Sequence, residues 1–149
     1  MEQVSETREI AVGADRVWAM AGDFAGLALW VSGVDRFACT GDGIGAVRTF
    51  LLAGQAMEER QMARDDANRS YSYALCRGPV PVAGYRATIA VTPLGPGRSQ
   101  VTWSASYRPV GIAPERCERL LRSSYRANLE RLKDRLESGV PGRPVPGQG

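Results

Sequence analysis

Apolar residues recur at a helical spacing along the last third of the chain. Leu121, Tyr125, Leu129, Leu132 and Leu136 follow one another at steps of three and four, which aligns them as one stripe on an α-helix. The spacing predicts a helix over 114–137. Pro114 suits its first turn, where a missing N–H breaks no hydrogen bond, and Gly139 followed by Pro141 marks its stop. The opposite face carries Glu118 and Arg122, Arg126 and Glu130, and Lys133 and Glu137 at i,i+4, pairs that each add only tenths of a kcal/mol. So narrow an apolar stripe needs a sheet to lie against. Core packing alone accounts for such a helix. The sharper reading is that it also roofs a ligand cavity, with Tyr125 as its polar contribution.

The rest of the chain alternates with period two. Residues 3–12 read as a first strand ending in Ile10-Ala11-Val12. Asp15 is placed to cap a short helix holding Val17, Trp18 and Met20. A break at Gly22-Asp23, supported by Asp23, leads to a second short helix over 24–30. Strands are expected at 34–40, 45–53, 56–65, 70–77, 83–93 and 99–109, with turns at Gly41-Asp42-Gly43, Gly54-Gln55, Asp66-Ala67-Asn68, Gly78 to Pro81 and Pro93 to Gly97. Short turns between consecutive strands make an antiparallel meander. One domain over 1–138 is expected, with no internal repeat. The Pro- and Gly-rich residues 139–149 are expected to be disordered.

Side-chain parity sorts the strands into two faces. A two-residue loop at Gly54-Gln55 sets residue 50 opposite 59 and residue 48 opposite 61, so Arg48, Phe50 and Leu52 share a face with Met57, Glu59 and Gln61. Odd loops further on would set Glu59 against Tyr73, Tyr85 against Tyr107 and Ile89 against Trp103. The other face of the last two strands is polar (Thr88, Thr92, Thr102, Ser104, Ser106, Arg108), as a solvent side should be. The first hairpin fits less well, since Leu51 and Met62 look outward, and a slip of one residue would exchange every role. The inner face is thus aromatic and apolar with two charges, Arg48 and Glu59. Two charges packed solidly against one helix would be costly unless paired, and a cavity resolves the difficulty.

Composition narrows the chemistry. The chain has 149 residues, 44% hydrophobic and 23% charged, with a net charge of +3, ordinary for a globular domain with a real core. No apolar run approaches the ~20 residues of a membrane span, and the polar N-terminus is no secretory signal. The basic excess is modest and lacks the dense, aromatic-interleaved stripe of a nucleic-acid binder. The three cysteines, Cys39, Cys76 and Cys117, are far apart without CxxC spacing. They suggest neither zinc nor a disulfide framework, and a reducing cytoplasm is the simplest compartment. There is no histidine, so Ser-His and Cys-His pairs are excluded, as is the commonest metal ligand. No metal site and no cofactor are expected. The run Gly41, Gly43, Gly45 is followed by a strand rather than a helix, which favours a tight turn over a phosphate cradle.

The order strand, two helices, six strands, long helix resembles the START / birch-pollen-allergen-like helix-grip superfamily (SRPBCC), in its polyketide cyclase/dehydrase-like branch. The resemblance rests on Val17-Trp18, Asp23-Phe24, Trp30, the run Gly41 to Arg48, Glu59-Arg60, Tyr73, Pro79 to Val82, Tyr85, Val91-Thr92-Pro93, Val101-Thr102-Trp103 and the final helix. It covers about residues 3–137. The pattern departs after Trp30, where Val31-Ser32-Gly33 stands in place of a nearby proline. The resemblance implies an α+β helix-grip fold, a seven-stranded antiparallel sheet curved around the long C-terminal helix over a deep apolar cavity. It also implies a hydrophobic small-molecule partner. Members bind lipids, hormones or polyketides, and some are cofactor-free cyclases, dehydratases or lyases. In a plant branch, an arginine and a glutamate facing each other carry the chemistry beside tyrosines; the matching positions are Arg48, Glu59, Tyr73 and Tyr85.

Two functions stay open at this point. In the first, an enzyme acts on a polyketide-like or other small apolar carbonyl compound: Glu59 moves the proton, Arg48 holds the oxyanion, and Tyr73 and Tyr85 orient. The two charged roles pull against each other, because an arginine nearby stabilises the charged form of a carboxyl that a base needs destabilised. In the second, a non-catalytic carrier holds a hydrophobic molecule or lipid, and Arg48 and Glu59 are a structural ion pair. Either way Trp30, Phe50, Leu52, Leu75, Ile89, Trp103, Tyr107 and Tyr125 are expected to face the ligand. The cysteines read as packing residues. A homodimer is compatible with the sequence, which does not specify the oligomeric state.

Overall fold

The computed structural model describes residues 1–144. Strand β1 (Glu2–Ile10) is followed by helix α1 (Ala14–Ala21) and a 3₁₀ segment (Phe24–Leu29). Six strands come next: β2 (Val34–Thr40), β3 (Val47–Leu52), β4 (Gln55–Asp65), β5 (Ser70–Arg77), β6 (Val82–Gly95) and β7 (Arg98–Pro109). Helix α2 (Pro114–Glu137) closes the chain. The strands form one antiparallel seven-stranded sheet in the order β1-β7-β6-β5-β4-β3-β2. This is the helix-grip architecture that the order of elements implied.

The stripe on α2 is buried throughout, from Cys117 and Leu121 to Leu132 and Leu136. The helix lies along β1 and β7. Of the three expected pairs along its exposed side, Glu118–Arg122 and Lys133–Glu137 form. The third does not: Arg126 pairs with Glu6, and Glu130 with Arg8 at 2.8 Å. Both partners are on β1, so these charges lace the helix to an edge strand whose free backbone would otherwise invite another chain. The helix stops in a Schellman turn. Gly139 takes φ 80°, Gly139 N–H bonds Leu136 O at 3.1 Å and Val140 N–H bonds Arg135 O at 2.9 Å.

That turn corrects the expectation of disorder from 139 onward. Val140 packs on the core, and Arg143 makes a two-pronged ion pair with Asp23 at 2.7 and 2.8 Å. Residues 145–149, also expected to be disordered, lie outside the described residues. Asp15 does not cap α1: the cap position is Gly13, and Asp15 instead binds Arg69 from inside the helix.

The register of the β3–β4 hairpin differs from the parity reading by two residues. The β3–β4 loop is Ala53-Gly54 rather than Gly54-Gln55, since Leu52 pairs with Gln55. Both loop residues have positive φ, 50° and 81°, the geometry of a type I′ hairpin. Arg48 therefore stands opposite Glu59, and Phe50 opposite Met57. The face is the expected one, because moving the loop by one residue shifts the pairing by two. Irregularities between Glu58 and Glu59 and between Gln61 and Ala63 set Glu59 against Leu75 and Gln61 against Tyr73. Another between Ala83 and Arg86 takes Tyr85 out of direct pairing with Tyr107, while Ile89 does face Trp103. Such bulges bend a strand and sharpen its twist, which lets the sheet curl around α2.

Candidate functional site

Between the concave face of the sheet and α2 is a cavity of about 120 Å³. Its wall is mostly apolar: Phe50, Leu52 and Met57 from the β3–β4 hairpin, Leu75 from β5 and Trp103 from β7. The 3₁₀ segment and the residues after it add Leu27, Val31 and Ser32, and α2 adds Leu121, Ser124, Tyr125 and Asn128. Ser32 and Ser124 are exposed and Leu52, Leu75 and Val80 half-buried, so the mouth lies between the 3₁₀ segment, the β5–β6 turn and the helix.

The one charged side chain on this wall is Glu59, among the described residues. The β3–β4 register puts it beside Arg48, whose Nε donates to Glu59 Oε1 at 2.7 Å. Arg48 Nη2 stands 2.7 Å from the same oxygen without an N–H aimed along the contact. Glu59 Oε2 accepts no hydrogen bond among the described residues and is not sealed off, so it is the oxygen left for the cavity.

Arg48 is fully buried and does not line the cavity. This corrects its expected place as a cavity-facing oxyanion holder. It sits one layer back, donating from Nη1 to Phe24 O at 3.0 Å and to Tyr71 Oη at 3.3 Å. Its guanidinium carbon lies 4.2 Å from the Phe24 ring centre and 4.7 Å from that of Tyr73, a cation–π environment. Burial works against its charge, but Tyr71, Glu59 and Tyr73 outweigh burial and hold the guanidinium above its ordinary range. Arg48 thus joins the cavity carboxylate to the start of the 3₁₀ segment.

Tyr73, Tyr85 and Tyr125 also line the cavity. Trp103 Nε1–H donates to Tyr73 Oη at 3.1 Å, Tyr73 Oη lies 3.5 Å from Tyr85 Oη, and Tyr85 bonds Tyr125. The Trp103 ring stacks on Tyr125 with centres 4.2 Å apart. Burial first, and the nearby Glu59 charge second, push Tyr73 well above the usual phenol value. Burial and the neighbouring phenols do the same to Tyr85. Burial raises Tyr125 as well. The chain is therefore a run of neutral hydroxyls, donors as well as acceptors.

Of the residues expected to face a ligand, Phe50, Leu52, Leu75, Trp103 and Tyr125 do line the cavity, whereas Trp30, Ile89 and Tyr107 do not. Trp30 and Ile89 are completely buried and Tyr107 nearly so; they are core behind the wall. Trp30 meets Trp103 edge-on, with centres 5.5 Å apart, and its indole N–H has no partner among the described residues. Leu27, Val31, Ser32 and Val80 line the cavity without having been expected there, and so do Ser124 and Asn128 of α2. Asn128 is buried and its Oδ1 accepts from Ser32 N–H at 3.0 Å, tying the helix to the mouth. Both α2 residues sit on the ridge 117, 121, 124, 128 beside the main stripe, so helical spacing could have flagged them.

Cys117 is buried, Cys39 half-buried and Cys76 exposed, so Cys76 is not the packing residue expected. Burial raises the Cys39 and Cys117 thiols. Among the described residues, no cluster of three or more Cys, Asp or Glu could hold a metal ion. No helix there is long and apolar enough to cross a membrane.

A family model described as polyketide cyclase / dehydrase and lipid transport matches residues 1–137. No curated protein matches the chain. Among solved structures, protein XoxI from Bacillus cereus is 28% identical, over 90% of this chain and 94% of its own, with a TM-score of 0.84. The Zhui aromatase/cyclase from Streptomyces sp. R1128 is 18% identical over 95% of this chain and 99% of its own, TM-score 0.73. Norcoclaurine synthase from Thalictrum flavum, solved with dopamine and hydroxybenzaldehyde, is 19% identical over 93% of this chain and 87% of its own, TM-score 0.70. At those identities the last two share the fold with this chain.

Proposed function

The chain belongs to the polyketide cyclase / dehydrase and lipid transport family, and from that premise we propose that it is an acid–base enzyme of the cyclase, dehydratase or isomerase type, acting on a small apolar carbonyl compound held in the cavity. The family and the aromatase/cyclase fold neighbours support a ligand-binding or cyclase role. The observation that carries the finer reading is Glu59: a carboxylate in an apolar cavity, with one oxygen held by Arg48 and the other unpartnered.

In this reading Glu59 Oε2 takes a proton from the carbon beside a substrate carbonyl. The C–H electron pair moves into the carbonyl, giving an enolate. The phenol chain is the donor set for that oxygen: neutral hydroxyls in an apolar site stabilise a developing oxyanion without reorganising. Return of the proton from Glu59 at another carbon isomerises; attack of the enolate carbon on a second carbonyl, whose oxygen takes that proton, closes a ring; departure of a β-hydroxyl with that proton, as water, dehydrates. Arg48 is a positioning residue. It fixes the carboxylate so that one oxygen faces the substrate, as a general base within reach of the proton requires.

Proton abstraction is readable without knowing the natural substrate. In D₂O the protein should speed exchange of the α-hydrogens of 2-indanone, followed by NMR, and E59Q should lower that rate about a hundredfold or more. Binding of the ketone with no exchange beyond the buffer rate would reject the enzyme and leave a carrier of hydrophobic molecules.

A further inference from the structure

The polar lining of the cavity has a sign. Among the described residues it contains no lysine or arginine; its one charged group is Glu59, and the one cation near it, Arg48, stands behind the wall. The free oxygen of Glu59 can only accept a hydrogen bond. The hydroxyls of Tyr73, Tyr85 and Tyr125 already bond one another. Asn128 Oδ1 already accepts from Ser32 N–H. Three hydroxyls with two mutual bonds keep one O–H to offer a ligand oxygen, whereas Glu59 Oε2 is the charged acceptor left without a donor among the described residues, and a second negative charge there would meet a carboxylate oxygen with no cation on its own side.

We infer that this site selects ligands that present a hydrogen-bond donor or an acidic C–H to Glu59 Oε2 and rejects ligands that carry a carboxylate. The inference rests on the reading of the cavity as the ligand site and adds the class of ligand it takes. A hydroxyl, an amide N–H or the enol of a dicarbonyl satisfies the oxygen, and the acidic C–H beside a ketone does so more weakly. An isostere without a donor displaces water from the oxygen and leaves it unpaired, and a site built to pair a donor discriminates strongly against such an analogue. An anion adds like-charge repulsion, which a mostly buried site screens less than bulk water does. The consequence for a reaction sequence is chemical. A substrate whose chain ends in a free acid has to arrive with that acid masked, as an ester, thioester or amide, or already lost by decarboxylation. The reaction upstream must be one that leaves no free carboxylate.

The cavity, about 120 Å³, is of the order of the ~150 Å³ apolar cavity that takes up benzene, so single-ring probes suit it. Benzamide, nitrobenzene and benzoate have nearly the same size and shape. The first is neutral with a donor, the second neutral without one, and the third an anion without one. Titrations of the protein with each at pH 7, followed by amide chemical shifts at Leu121, Ser124 and Asn128, give the affinities. Benzamide should bind about tenfold more tightly than nitrobenzene, and benzoate most weakly of the three. E59Q, which offers a donor as well as an acceptor, should raise benzoate affinity at least fivefold relative to benzamide. Benzoate binding to the parent protein as tightly as benzamide would overturn the selectivity while leaving the cavity as the ligand site. Failure of all three to move those amides would overturn the cavity reading and the selectivity with it.

Discussion

Arg48 is the residue at which the interior's chemistry is most exacting. A guanidinium with no exposed surface survives because it has a carboxylate, a backbone carbonyl, a phenol and two aromatic faces around it. Removing it leaves Glu59 as an uncompensated charge in an apolar wall. R48M should therefore lose about 3–5 kcal/mol, and R48M/E59L should recover much of that loss, because replacing both members of a buried pair is far less damaging than breaking it; urea unfolding of the three proteins measures both. The tyrosines make a prediction in pH. Tyr73, Tyr85 and Tyr125 have folded-state values raised above the ordinary phenol value, chiefly by burial. A raised folded value means that stability is fully present below about pH 10 and is lost as pH climbs from there toward the folded value, at about 1.4 kcal/mol per pH unit for each such phenol. Unfolding free energies at pH 9, 10 and 11 should fall progressively, and Y85F should fall less steeply than the parent. A flat profile would contradict the assignment.

Among the elements, α2 was legible to its ends, because its stripe, its opening proline and its closing glycine are each read from local rules. The β3–β4 hairpin was legible in face but not in register. Gly54 announced a turn, yet the other loop residue is Ala53, which rarely takes the positive φ of 50° it has here, so the turn was placed one residue too late. That strain gives a test. A53N, completing an Asn-Gly turn, should raise stability by about 0.5–1 kcal/mol, seen as an upward shift in thermal midpoint. No shift, or a downward one, would mean that the register of this hairpin, and with it the Arg48–Glu59 opposition, is held differently. The bulges in β2, β4, β5 and β6 were not legible, because an extra residue in a strand leaves no mark on a period-two pattern except a change of parity.

At the scale of the molecule, the sheet curls, the helix lies along it, and the space they fail to fill is the candidate site. Which residues line that space depends on depth, and parity carries no depth. Arg48, Ile89 and Tyr107 share a face with the cavity wall yet stand behind or beside it, whereas Glu59, Tyr73 and Tyr85 reach it. The C-terminal residues that fold back through Arg143 onto Asp23 were equally hidden, since a single distant ion pair has no sequence pattern. The proposed function requires a compact carbonyl compound to bind between Trp103, Phe50 and Tyr125 with its acidic carbon toward the free oxygen of Glu59. A crystal structure with 2-indanone bound tests it most directly. The ketone should occupy that cavity, its α-carbon about 3–3.5 Å from Glu59 Oε2 and its oxygen toward the phenols. A ketone seated elsewhere, or seated there with Glu59 turned away from it, would rule out Glu59 as the base.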